Sequence, residues 1–405
     1  MKEIRHKTII VILIVTICGL VIMRLCMGEY ARFYYNRGLA DFRKGDFDKA
    51  ISDYSRAIQL NPVHFLAYDA RGIVYVEKKL FDEAIRDYTE TIKLKPNFAD
   101  AYYNRGQAYL WKGDFEKAII DYNQTIQLNP VHYLAYYSRG MAYSGKEFFN
   151  EAIRDYTETI KLEPNFADAY YNRGFAYFRK GDFDKSISDC TAAIQFNPGN
   201  ADVYQGRGRS YFEKGDFDEA IRDYTKVIQL KPNYVDGYYY RGLTYFKKGD
   251  FDKAIIDYNQ AIQLNPEDSD AYQGRGWSHY QKGDWNPAID DFKNAIRLNP
   301  KNSLACNNYA WLLATCSKIS IRNGGSAVEL ALKACELTEW KNWNYIDTLG
   351  AAYAEFGDFA NAIKYQTQAM SMEGASKEEY DEAQQRLTLY NQGKPYHEGE
   401  VKVKR

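Results

Sequence analysis

Between Asp100 and Pro130 apolar and aromatic side chains recur at helical spacing, through Tyr102, Tyr109, Ile119, Tyr122, Ile126 and Leu128. Residues so spaced share one face of a helix, so the pattern predicts amphipathic helices. It breaks once, at Gly113-Asp114. Glycine takes the left-handed backbone that ends one helix, and aspartate accepts from the free N–H groups that open the next. Pro130 closes the segment, because proline forces its predecessor out of helical geometry. The segment predicts a helix–turn–helix hairpin.

That hairpin repeats. Prolines fall at 62, 96, 130, 164, 198, 232, 266 and 300, each 34 residues after the last. With proline counted as the thirty-second residue, eight units run from Ala31 to Asn302. The eighth residue is Gly38, Gly72, Gly106, Gly140, Gly174, Gly208, Gly242 or Gly276, and the fourth is always Tyr. The seventeenth is Phe or, once, Trp285; the twentieth is Ala except at Ser186. Glycine at the eighth place and alanine at the twentieth let the two helices approach closely. Gly-Asp marks most turns, but Lys79-Leu80 and Glu147-Phe148 replace it, so those two turns are predicted to be less well fixed.

A 34-residue period with this Tyr–Gly–Tyr–Ala–Tyr–Pro pattern resembles the tetratricopeptide repeat (TPR) over about two thirds of the chain. The resemblance implies an all-α, right-handed solenoid of stacked helix–turn–helix units, whose first helices line a concave groove. Past Asn302 the period bends. Residues 303–393 read as two variant units and a capping helix over Lys377–Leu389, and 394–405 as a flexible tail. LATC, AVELALKACELT and RLTLYNQGKPYHE resemble a segment that closes many bacterial TPR proteins. EAIRDYTETIKL at Glu83 and Glu151, and NFADAYYNRG at Asn97 and Asn165, lie 68 residues apart and read as duplication of a two-unit block.

The seventh residue of every unit is Arg, from Arg37 to Arg275, and the twenty-third is Asp, from Asp53 to Asp291. A hairpin folded at the fifteenth residue brings the two level. This predicts a repeated Arg–Asp bridge, within a unit or to the next. The alternative is a ladder of arginines open to anionic ligands.

Ahead of the repeats, residues 1–7 carry Lys2, Arg5 and Lys7, and nothing from Thr8 to Met23 is ionised. Eleven residues between Ile9 and Ile22 are Leu, Ile or Val, among them Ile9, Ile10, Leu13, Ile14, Ile17, Leu20, Val21 and Ile22. Residues 8–27 would form a helix of about 30 Å, the thickness of a bilayer's hydrocarbon core. The expectation is one N-terminal transmembrane helix within residues 1–30, its basic end cytoplasmic and the repeats outside. A signal peptide cut before Glu29, with Cys26 and Gly28 at the small-residue places, is the alternative and gives a secreted or periplasmic protein.

Composition bears on chemistry mainly by exclusion. With 53 Lys+Arg against 54 Asp+Glu, the net charge is -1, which argues against a nucleic-acid footprint. None of the 5 histidines has another three or four residues away, so no zinc helix is predicted. Gly206-Arg-Gly208 and Gly274-Arg-Gly276 lack the third glycine and the preceding strand of a dinucleotide loop. Cys190 takes a core tyrosine place, whereas Cys306, Cys316 and Cys335 cluster closely enough for one disulfide in an oxidising compartment. No catalytic site, metal, cofactor or small-molecule substrate is predicted, and the chain reads as non-enzymatic.

Tyrosine, at 37 residues, falls into two populations. Those at the fourth, eleventh and twenty-fourth places face neighbouring helices and are predicted core. The fifth place is rotated about 100° from the fourth. It holds Tyr35, Tyr103, Tyr137, Tyr171 and Tyr239, followed by Asn36, Asn104, Asn172 and Tyr240, with Gln107 on the same face. By the resemblance, these residues face a protein or peptide ligand in the groove. Packing between successive first helices is the competing reading. TPR domains that hold a chaperone's C-terminal carboxylate use lysines where tyrosines stand here. Asp100, Asp168, Asp202, Asp236 and Asp270 at the groove edge favour a basic or neutral peptide. The reading is a membrane-anchored protein-interaction scaffold, with a self-associating spacer in an envelope complex as the alternative.

Overall fold

The structure, a computed structural model, describes residues 27–398. The anchor residues Ile9, Ile10, Leu13, Ile14, Ile17, Leu20, Val21 and Ile22 lie outside the described residues. Among the described residues no helix is long and apolar enough to cross a membrane.

All regular structure among the described residues is helical. Two compact units divide at Pro198. The first contains α1 (27–43), α2 (Phe47–Leu60), α3 (Phe65–Glu77), α4 (Phe81–Leu94) and α5 (Ala99–Trp111). It continues through α6 (Phe115–Leu128), α7 (Tyr133–Gly145), α8 (Phe149–Leu162), α9 (Ala167–Arg179) and α10 (Phe183–Phe196). The second opens with α11 (Ala201–Lys214), α12 (Phe217–Leu230), α13 (Val235–Lys247), α14 (Phe251–Leu264), α15 (Ser269–Lys282) and α16 (Trp285–Leu298). It closes with α17 (Ser303–Thr315), α18 (Gly324–Leu337), α19 (Trp343–Phe356), α20 (Phe359–Met370) and α21 (Lys377–Asn391). Odd-numbered helices up to α19 are the first helices of hairpins. From α3 onward each packs on its own second helix, and successive first helices also touch from α3 to α9 and from α13 to α19.

The helix-to-helix distance is set by the eighth-place glycines. A Cβ at Gly38, Gly72 or Gly140 would stand 2.7 Å from the ring of Tyr54, Tyr88 or Tyr156. Those twenty-fourth-place rings are 1% exposed and lie flat against the first helix. Each contributes roughly 2–3 kcal/mol by leaving water, an upper estimate. Ala50, Ala84, Ala118 and Ala152 are wholly buried beside them.

The expected core of fourth- and eleventh-place tyrosines is corrected in degree. Most, including Tyr68, Tyr75, Tyr102 and Tyr109, are only half-buried. They share that face with the polar seventh-place arginine: the Arg71 guanidinium carbon lies 5.8 Å from the ring centres of both Tyr68 and Tyr75.

The Arg–Asp bridge forms in all eight regular hairpins, and within each one. In the third, Arg105 Nε and Nη2 donate to Asp121 at 2.8 and 2.7 Å. Asp121 is 2% exposed, and burial raises its carboxyl above the usual range despite the arginine. The guanidinium groups are clasped, not presented to an open groove.

The two turns without glycine keep the same backbone as the others. Lys79 and Glu147 take positive φ values of 59 and 62°, where Gly45 and Gly113 take 79 and 78°. Leu80 N–H donates to Tyr75 at 2.8 Å, as Asp114 N–H does to Tyr109 at 2.9 Å. The difference lies in energy: a side chain strains the left-handed turn, and Leu80 and Phe148 give α4 and α8 no side-chain cap.

Residues 395–398, expected in the tail, are packed. Glu398 N–H donates to Thr315 at 2.9 Å, and Trp311 Nε1 donates to Glu398 at 3.0 Å. His397 is 9% exposed and lies 2.7 Å from Glu355, which Arg322 also holds. Cys306, Cys316 and Cys335 are buried free thiols, so the disulfide allowed by their clustering does not form, and Cys190 is buried at its tyrosine place. Burial pushes the Cys335 thiol up to about 12.

Candidate functional site

In the N-terminal unit, the fifth-place tyrosines do two things at once. Tyr35 lies 5.9 Å from the Tyr54 ring and 5.0 Å from His64. Tyr103 lies 6.0 Å from Tyr122 and 4.8 Å from His132, and Tyr137 lies 5.9 Å from Tyr156 and 4.8 Å from Phe166. Each thus rests on the buried second-helix tyrosine of its own hairpin and on the residue that opens the next first helix. All three, with Tyr171, are half-buried. Burial raises the Tyr35 phenol and pushes that of Tyr137 up to about 12. These rings are packed on one side and open on the other.

The next residue carries the polar links. Asn172 Nδ2 donates to Tyr137 Oη at 2.7 Å, and Asn104 Nδ2 to Asp69 at 3.3 Å. In both, the sixth residue of one hairpin bonds to the fifth of the hairpin before. Gln107 accepts from Tyr122 Oη at 3.0 Å, donates to Ser138 at 3.1 Å and also bonds Tyr103. Bonds of this kind fix amide and phenol orientations before any ligand arrives. Asn36 is exposed. Asp69 stands where the other hairpins of this unit have tyrosine, and burial pushes its carboxyl up to about 6. Met141 and Phe175, at the ninth place of α7 and α9, are 36% and 40% exposed and add apolar surface to this face.

The C-terminal unit carries a smaller version. Tyr240 stacks on Tyr224 at 5.9 Å under the Arg209 guanidinium, and Tyr239 meets Tyr240 and Tyr258 edge-on at 5.3 and 5.9 Å. Burial raises the Tyr239 phenol. Among the edge carboxylates, Asp202 is held by Lys231 at 2.8 Å, Asp236 by Tyr234 at 3.1 Å and Asp270 by Asn302 at 3.1 Å. Asp100 and Asp168 are exposed.

Sequence reasoning passed over His64 and His132. Each caps its helix through Nδ1, which accepts from the third residue's N–H, Ala67 at 3.2 Å and Ala135 at 3.1 Å, and each supports a fifth-place tyrosine. The signal was there: both are the thirty-fourth residue, the place of Asn200, Asp268 and Asn302. Burial lowers the affinity of His64 for a proton and keeps the accepting nitrogen free. Among the described residues no group of three or more His, Cys, Asp or Glu is placed to hold a metal ion.

Tetratricopeptide repeat models match residues 31–64, 99–132, 167–200, 235–268, 269–302 and 345–376, and a TPR repeat model matches 72–113, 148–181 and 208–249. No curated protein matches. The C-terminal part of a TPR repeat-containing protein from Cytophaga hutchinsonii is similar at 20% identity and a TM-score of 0.51, over 58% of this chain and 96% of that one. A tetratricopeptide repeat protein from Parabacteroides merdae is similar at 22% identity and a TM-score of 0.47, over 62% and 99%. YrrB, a TPR protein with an unusual peptide-binding site, is similar at 23% identity and a TM-score of 0.42, over 45% and 95%. By its repeat matches and its stacked hairpins, the chain belongs to the tetratricopeptide repeat family.

Proposed function

We propose that this chain is a non-catalytic scaffold that holds a segment of another protein against the first-helix faces of its N-terminal unit, and that residues 8–27 anchor it in a membrane with the repeats outside. The observation that carries the binding reading is the row of half-buried tyrosines among amides that are already hydrogen-bonded, Asn172 to Tyr137, Gln107 to Tyr103 and Ser138, and Asn104 to Asp69, with Met141 and Phe175 exposed beside them. Rigid aromatics with pre-oriented amides bury area against a partner at low entropy cost. The anchoring reading rests on the eleven aliphatics between Ile9 and Ile22 behind a basic start.

A photo-crosslinking residue in place of Phe175 tests the face, with one in place of Ile120 as the comparison. Ile120 is 64% exposed and lies on a second helix. Adducts to a partner at 175 and none at 120 are expected; the reverse sinks the reading. The second reading, self-association through second helices, is favoured by Ile120 and Ile256, exposed at the same place of two hairpins. It predicts adducts at 120 that contain two copies of the chain. For the anchor, a periplasm-active reporter fused after residue 28 must be active and sediment with membranes. A soluble active fusion means cleavage, and an inactive one means the opposite topology.

A further inference from the structure

The C-terminal unit contains a cavity of about 760 Å³, walled by first helices α15, α17 and α19, the start of α16, helix α21 and the segment through Glu398. That is a volume in the range of sites that take a small ligand or one long side chain. Its lining holds four carboxylates, Asp347, Glu379, Glu382 and Glu398, against one cation, Arg386. Arg386 is spoken for: it is 5% exposed and donates to Asp347 at 3.2 and 3.0 Å. Three glutamate charges then face no further lining cation: Glu379 accepts from the Ser376 N–H at the cap of α21, Glu398 accepts from Trp311 Nε1, and Glu382 lies 3.8 Å from Arg386.

Two further observations point to a ligand. Asn307, on the cavity wall, is 4% exposed, and its Oδ1 has no hydrogen-bond partner among the described residues. A buried amide oxygen without a donor is costly, and such groups call for one from outside. The wall also already accepts a guanidinium: Arg386 lies 5.5 Å from the Trp311 ring centre and 5.7 Å from that of Tyr396. Trp277, stacked on Tyr280 at 4.6 Å, and Trp343 offer more aromatic surface of the same kind.

We propose that this cavity takes the side chain of an arginine or lysine from an extended segment of another polypeptide. The cationic head lies among Glu379, Glu382 and Glu398, a donor satisfies Asn307, and the hydrocarbon stem covers Trp277 and Trp343. Arginine fits best, since its planar fork supplies five donors and stacks on aromatic faces. An anion would meet three glutamates, and a purely apolar ligand would leave Asn307 without a donor. The inference rests on the scaffold reading in one respect, that the ligand is a polypeptide.

The test uses the full-length chain in neutral detergent and fluorescein-labelled acetyl-Gly-Arg-Gly-Arg-Gly-amide, read by anisotropy. The same peptide with citrulline, which keeps the shape and removes the charge, is expected to bind at least about tenfold more weakly, and one with glutamate weaker still. Glu382→Gln with Glu398→Gln, which keeps an acceptor for Trp311, is expected to weaken arginine-peptide binding about tenfold with melting unchanged. Citrulline binding as tightly as arginine, no arginine binding up to about 1 mM, or indifference to the double variant overturns the proposal. Spermidine binding as tightly as the peptide assigns the cavity to free polycations and overturns it too. If the arginine peptide fails while crosslinks at 175 persist, the cavity assignment falls and the scaffold reading stands; the converse spares the cavity alone.

Discussion

Arg105 Nη1 donates to Thr89 Oγ1 at 3.1 Å, so the arginine that clasps Asp121 in its own hairpin also ties that hairpin to the one before. The same reach joins Arg71 to Ser55, Arg173 to Thr157, Arg241 to Thr225 and, with asparagine as acceptor, Arg139 to Asn123 and Arg275 to Asn259. One residue type thus serves the fold of a unit and the stacking of units. A solenoid's stability is a sum of those two terms.

Removing the arginine at one step should therefore damage both. Arg105→Met is expected to cost about 2–3 kcal/mol, because it strands the buried Asp121 carboxylate. Thr89→Val should cost about 1 kcal/mol. A double-mutant cycle between the two positions, read by urea denaturation, should give a coupling of about 1 kcal/mol. Additive losses would mean that the inter-hairpin bond contributes nothing.

The eighth-place glycines are not equivalent. At Gly140 a Cβ would stand 2.7 Å from the Tyr156 ring, whereas at Gly242 the nearest atoms, on Asp257 and Tyr258, are 3.3 Å away. Gly140→Ala is expected to cost about 2 kcal/mol through overpacking. Gly242→Ala should be near neutral, because the gain of about 1 kcal/mol from restricting the unfolded chain offsets a small displacement. Equal losses at both sites would show that ring contact does not set the spacing.

Lys79 and Glu147 hold a backbone that suits glycine, at φ 59 and 62°. Lys79→Gly and Glu147→Gly should each stabilise the protein by about 1 kcal/mol, against the usual direction for glycine. Leu80→Asp should add about 1 kcal/mol more by capping α4 as Asp114 caps α6. Melting temperatures that fall in the glycine variants would contradict the strain.

What repeats was readable and what occurs once was not. Arg105 and Asp121, Gly106 and Tyr122 fall on a fixed period, and period plus hairpin geometry puts them in contact. The face of Tyr103 and Tyr137 was legible for the same reason. Their half-burial was not, because it depends on His132 beside Tyr103 and on Phe166 and Asn172 beside Tyr137, residues that open or lie in the next first helix. Asn172 bonding Tyr137 links places 35 residues apart, a relation between neighbouring units that a within-unit pattern does not contain. Past Asn302 no period helps. That Glu398 returns to Trp311 depends on the course of α21 and the segment after it, which single, unrepeated side chains decide.

Asp69 supplies a prediction in which acid stabilises. Its carboxyl is pushed up to about 6 by burial, from an ordinary 3.8, with Asn104 opposing the rise. A group whose folded value lies above its unfolded value favours folding when protonated. Asp69 therefore weighs against the fold above pH 6, and that cost disappears as pH falls from about 6 to about 4. Asp69→Asn keeps the acceptor for Asn104 and removes the titration. It should raise stability by about 1–2 kcal/mol at pH 7, less than the full shift implies because the site is partly open to water, and by almost nothing near pH 4. Denaturation of both proteins across that interval decides the matter. A variant less stable than the parent at pH 7 would show that the Asp69 charge is used, by a neighbour in the fold or by a cationic residue of the partner on this face.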